Sequence, residues 1–204
     1  MARQTTTPQV SFDEKLILFR YFLHELRIDA LSELGEKLNT PEFEGVNESG
    51  NTYFCDYLIR ISKLKGAGIT AEKLRLYDEN ICRHTRQIGE KRGTIRWKYF
   101  QYISLLFTEM YLDRYFSDRE AFCNDLNQFL SDADAQTMYR IGYDPFTPDK
   151  MNKLAFMCAT GSGKTLIMHV NILQFLHYFK RAKRINKKHR YKSSSPCECI
   201  SSRS

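Results

Sequence analysis

The chain of 204 residues has no apolar run longer than about five residues, whereas a membrane-spanning helix needs roughly 20. Its first residues, Met1-Ala2-Arg3-Gln4-Thr5, lack the apolar core of a secretion signal. A cytosolic (cytoplasmic) protein with no membrane partner is therefore expected. Close cysteine pairs are also scarce. The six cysteines are spread over positions 55, 82, 123, 158, 197 and 199. Cys197-Glu198-Cys199 lacks the second Cys/His pair that a zinc site requires. The other four fall in expected helices or an expected strand, which suits reduced, buried thiols. No internal repeat is visible. One stretch is strongly basic and holds no acid. Residues 180–192, KRAKRINKKHRYK, hold eight Lys/Arg and no Asp or Glu. Setting them aside leaves 23 bases against 24 acids. The net charge of +7 thus belongs to one segment, and it is no evidence for a nucleic-acid-binding surface on the folded part.

What is present is a packed composition, 42% hydrophobic and 13% aromatic, in a chain long enough for one or two domains. The stretch that carries chemistry is Lys153 to Lys180. Leu154-Ala155-Phe156-Met157-Cys158 has the length and flanks of a buried strand. Ala159-Thr160-Gly161-Ser162-Gly163 follows as a glycine-rich turn, and Lys164-Thr165 opens a long apolar helix expected to reach about Lys180. Strand, glycine loop, Lys-Thr and helix is the order a phosphate-cradling loop needs. Small residues let backbone N–H groups converge on phosphate oxygens, and the helix N-terminus adds partial positive charge there. Lys164 is placed to reach outer phosphates, and the Thr165 hydroxyl to ligate magnesium. The strict pattern also wants glycine five residues before Gly163, where this chain has Cys158.

The run Ala159 to Thr165 resembles motif I of superfamily-two helicases and translocases. With Cys158 ahead of it and a long helical lead-in, it looks most like the DEAD/DEAH-type ATPase subunits related to type III restriction enzymes. The resemblance covers about residues 95 to 180. It implies ATP and Mg2+ as ligands, held by Ala159, Thr160, Gly161, Ser162, Gly163, Lys164 and Thr165, with Thr165 at the metal. It also implies that Gln101, on a helix upstream, reads the adenine edge, since an amide offers both a donor and an acceptor. Gln101 lies 58 residues before Ala159, farther than in compact family members. DNA, and a modification or nuclease subunit, are the partners of a complete relative. Turnover further needs an acid on the metal, an acid for the attacking water and an arginine for the transition state. In the family these lie downstream, and nothing after Lys180 supplies them. The chain is thus expected to be a truncated N-terminal part that binds nucleotide without hydrolysing it. The alternative is a small helical interaction or nucleic-acid-binding module with an incidental glycine loop.

Apolar spacing organises the rest. Ser11-Phe12-Asp13-Glu14 has the form of a capping box, and Phe12, Leu16, Phe19, Leu23 and Leu26 mark the helix after it. Helices are expected over about 30–38, 52–64 and 70–88, with Pro41 and Gly66-Ala67-Gly68 as breaks. Residues 83–98 carry six bases and one acid, read either as a phosphate contact or as a solvated helix end. Trp97 to Phe116 is apolar nearly all round and should be buried. Glu109 and Asp113 within it are read as structural, and His24, His169 and His177 as packing or surface residues. Ser117-Asp118-Arg119-Glu120 is a second capping-box pattern, opening a helix to about Leu130, and residues 131–152 read as a connector. The basic, Ser-rich segment 181–204 reads as disordered. The expected fold is mainly α: a helical N-terminal region (1–93), then the first strand, phosphate loop and helix of an incomplete α/β RecA-like motor domain (94–180).

Overall fold

The computed structural model describes residues 15–66, 68–136 and 143–193, and of 64, 65, 135, 136 and 186–193 the backbone alone. The expected capping box at Ser11–Glu14, the Cys197/Cys199 pair and the segment 194–204 lie outside the described residues. The fold is mainly α. Its helices are α1 (Ile17–Glu25), α2 (Leu31–Leu38), α3 (Tyr53–Lys65), α4 (Ala71–Arg92), α5 (Tyr99–Ser117), α6 (Arg119–Gln136) and α7 (Lys164–Ser193).

Local chemistry accounts for the boundaries. Thr52 and Thr70 sit in extended backbone, and each hydroxyl accepts from the third N–H onward, Cys55 at 3.1 Å and Lys73 at 3.3 Å. Each satisfies a helix-end donor that would otherwise lack a partner. Gly66 closes α3 in the left-handed region. At the second capping-box pattern the cap is one residue later than expected. The Asp118 carboxylate, not the Ser117 hydroxyl, accepts from Ala121 N at 2.9 Å, because Ser117 is still the last residue of α5. Helix α6 runs on to Gln136 and α7 to Ser193, past the ends expected near Leu130 and Lys180. Apolar periodicity marks only the part of a helix that packs, and polar residues extend the ladder beyond it.

Helix α5 is the axis of the molecule and packs against α1, α2, α4, α6 and α7. From Leu105 to Asp113 its residues are buried without interruption. Aromatic rings fill the space around it: Phe54 stacks on Tyr102 at 5.1 Å, and Phe22 meets Phe107 at 5.3 Å and Phe122 at 6.3 Å. One continuous core runs from Tyr21 to Tyr178 and so draws on both sides of position 93. Polar ties cross it. Asp78 of α4 accepts from Thr52 N (2.8 Å), the Thr52 hydroxyl (2.6 Å) and the Tyr102 hydroxyl (2.7 Å), joining α3, α4 and α5. Arg114 of α5 pairs with Glu25 of α1 and Asp125 of α6. The four described cysteines are free thiols, and burial pushes the Cys82 thiol up to about 12.

No strand forms among the described residues, and this corrects the reading of Leu154–Cys158. The segment is extended at Lys153 but pairs with no neighbour. A strand is stable only when its N–H and C=O groups meet another strand, and none is present to meet it. Two of its apolar side chains are accordingly uncovered, Phe156 at 40% and Met157 at 75% exposure, while Leu154 packs against the core.

Candidate phosphate-binding loop

Residues 159–163 turn the extended segment into the first turn of α7. Gly161 and Gly163 both have positive φ, 79° and 83°, a conformation that L side chains rarely adopt. Ser162 N donates to Ala159 O at 3.3 Å, and Leu166 N and Ile167 N close the first helical turn onto Gly163 O at 2.9 and 3.1 Å. Ala159, Thr160, Gly161, Lys164 and Thr165 are exposed, Ser162 and Gly163 half-buried. The Lys164 ammonium bends back to the Cys158 carbonyl at 3.3 Å, so it lies over the loop. The Thr165 hydroxyl is on the same exposed first turn. The start of α7 has N–H groups without intrahelical partners, aimed past Lys164, and α7 contains no Asp or Glu along its 30 residues. This loop can receive an anion, with a lysine beside it and no carboxylate on its own helix to repel the charge.

Gln101 is brought to this loop from the first turn of α5. Its Nε2 donates to the Ser162 carbonyl at 2.8 Å, and its Oε1 accepts from Lys98 N at 2.9 Å. A Cβ on Gly163 would stand 2.6 Å from Gln101 Nε2, so glycine is what lets the amide approach. With both ends engaged, the amide keeps one N–H and one lone pair for a ligand. The basic run 83–98 is divided. Arg83 is tied to Asn80 (2.7 Å) and His177 (3.1 Å), and Lys98 pairs with Glu44. Arg86, Lys91, Arg92 and Arg96 are exposed.

Sequence reasoning placed Glu109 and Asp113 in the structure of the protein, and both are buried there. Asp113 takes the Tyr77 hydroxyl at 2.9 Å and faces Lys73 and Arg181 at 3.4 and 3.6 Å. Missed were the partners of these acids. Asn80, Gln174 and Tyr178 converge on the seam around Glu109, and only the apolar turns flanking each of them hinted at burial. Also missed was a second apolar face on α7. Met168, Ile172, Phe175, Leu176 and Phe179 line its outer side, each 36–52% exposed, while Ile167, Val170, Gln174 and Tyr178 are buried on the inner side. The 4-3-4 spacing of Met168, Ile172, Phe175 and Phe179 was the available signal.

Among the described residues no group of three or more His, Cys, Asp or Glu is arranged to hold a metal, and no helix is long and apolar enough to cross a membrane. Comparison with protein-family models, with curated proteins and with solved structures found no match to this chain.

Proposed function

We propose that the chain is the ATP-binding N-terminal part of a DNA helicase or translocase, similar to the ATPase subunits of type III restriction enzymes. The observation that carries the reading is the junction of three features. Two positive-φ glycines open a long acid-free helix, Lys164 overhangs that opening, and an amide from α5 grips the loop across 61 positions of sequence. In this reading Gly161, Ser162, Gly163 and Lys164 cradle the phosphates with flanking Ala159 and Thr160, Thr165 takes Mg2+, and Gln101 faces the base. The unpaired segment 153–159 and the outer face of α7 fit the same reading. An extended apolar stretch with unmet backbone groups, leading into a helix apolar on both sides, calls for a sheet to pair with the one and cover the other. The RecA-like assignment, DNA, a modification or nuclease subunit and a cytoplasmic setting belong to this proposal.

Binding, not turnover, is the expected activity, since these residues include no acid on the metal and no arginine at the transferring phosphate. Titration with a fluorescent ATP analogue and Mg2+ tests it. Lys164→Ala should weaken binding at least about tenfold, the loss of a charge-assisted contact to phosphate. Hydrolysis should stay at background in both proteins. A second reading is favoured by the missing strand: a helical interaction module whose glycine loop only turns the chain. It requires that Lys164→Ala leave any nucleotide binding unchanged.

A further inference from the structure

The seam between α4, α5 and α7 contains a buried carboxyl group with one oxygen unpartnered. Glu109 is wholly buried. Its Oε2 accepts from Asn80 Nδ2 at 3.0 Å and from the Tyr178 hydroxyl at 2.7 Å. Its Oε1 has no partner. Gln174, also wholly buried, faces the same carboxyl and donates its Nε2 to the Leu105 carbonyl at 3.0 Å, leaving its own Oε1 without a donor. Two buried oxygens of the seam thus lack a protein donor, each at a desolvation cost of about 1–3 kcal/mol. Flipping the Gln174 amide does not repair this, since it would set an oxygen against the Leu105 carbonyl. A hydrogen on Glu109 Oε1 removes the buried charge, so that this oxygen no longer needs a donor.

We propose that Glu109 keeps its proton in the folded protein and acts as a proton-linked clamp joining α4, α5 and α7. In the clamped form the neutral carboxyl holds Asn80 and Tyr178 through Oε2. Losing the proton to solvent buries an anion and loosens α7 from α5. The surroundings place the change near neutrality. Burial pushes the Glu109 carboxyl up to about 7, against the pull of Tyr178, Asn80, Gln174 and, more distantly, Arg83. On α4, Arg83 reaches Glu109 through Asn80, while Tyr77 is raised beyond the working range by burial and by Asp113. His84, with neither ring nitrogen partnered, is held down to about 4 by burial, Arg83 and His177. On α7, burial, Arg83 and Arg181 lower His177. Arg181 and Lys73 balance Asp113, one turn further along α5.

The direction follows from linkage. Between its unfolded value of 4.5 and its folded value of about 7, Glu109 binds a proton in the folded state that the unfolded chain lacks. Its contribution is complete at the acid end of that window, declines as pH rises, and is gone above about 7. His84 acts oppositely between about 4 and 6.5, where only the unfolded chain is protonated, so the wild-type profile blends the two. Glu109→Gln isolates the clamp, because an amide can donate and accept in the same pattern without titrating. On the full chain without nucleotide, the Tm of Glu109→Gln minus that of wild type should grow by about 3–5 °C from about pH 6 to pH 8. His84 is common to both proteins and cancels. A difference that stays constant with pH overturns the proposal. Tyr178→Phe is a second test, since it removes a donor that favours the charged form. The infrared carbonyl stretch of a buried carboxylic acid should persist to higher pH in this variant than in wild type, and should be absent from Glu109→Gln. No such band at about pH 6 in wild type would mean that Glu109 is ionised throughout, and the clamp would not exist. Neither measurement uses nucleotide, so its outcome is separate from that of the binding proposal.

Discussion

Gly161 and Gly163 look equivalent in sequence, but only one has a neighbour. Both have positive φ, so alanine at either costs about 1 kcal/mol of backbone strain. Beside Gly161 there is nothing within 4 Å of an added Cβ, while at Gly163 the Gln101 amide is 2.6 Å away. Gly163→Ala therefore also pushes Gln101 off the Ser162 carbonyl and should lose about 1–2 kcal/mol more than Gly161→Ala. Urea unfolding of the two variants measures the difference; equal losses would mean that the Gln101 contact contributes nothing. The glycine turn and the helix start at Lys164 were legible because a tight turn is read in consecutive residues. The contact of Gln101 with Ser162 was not legible, since proximity between positions 101 and 162 is a property of packing.

At the scale of elements, the helices were legible, and the expected strand does not form among the described residues. A helix satisfies its own backbone, so local apolar spacing and caps such as Thr52 and Thr70 foretell it. A strand is defined by its neighbour, and Leu154–Cys158 has strand composition with no neighbour among the described residues. Helix α7 shows the same limit, since its sequence is apolar all round and periodicity cannot say which face is covered. The structure buries Ile167 and exposes Ile172 at 50%. Ile167→Ala should thus cost about 2–4 kcal/mol, and Ile172→Ala should stay within about 0.5 kcal/mol of wild type. Denaturant midpoints with unchanged slope check both, and similar losses would mean that the outer face is covered in solution.

For the whole molecule, stability rests on α5 and on the polar ties that bring α3, α4 and α7 to it. Asp78 is the clearest of these, because three donors from α3 and α5 depend on one carboxylate. Asp78→Ala leaves them buried without an acceptor and should cost at least about 3 kcal/mol. Thermal unfolding measures it, and a drop of less than a few degrees would mean that water replaces the carboxylate. Nothing in the acidic surface-like run Asp78-Glu79-Asn80 marked this role. Which members of a charged run turn inward is decided by the helix packing against them.

The central claim concerns the glycine loop, where the start of α7 meets the first turn of α5. Backbone and side-chain amide resonances, recorded while ATP and Mg2+ are added to the full chain, examine it most directly. The account requires the largest shifts at Gly161, Ser162, Gly163, Lys164 and Thr165 and at the side-chain amide of Gln101, with loss of those shifts in Lys164→Ala. Unchanged loop resonances, or shifts confined to the exposed bases Lys91, Arg92 and Arg96, would contradict it.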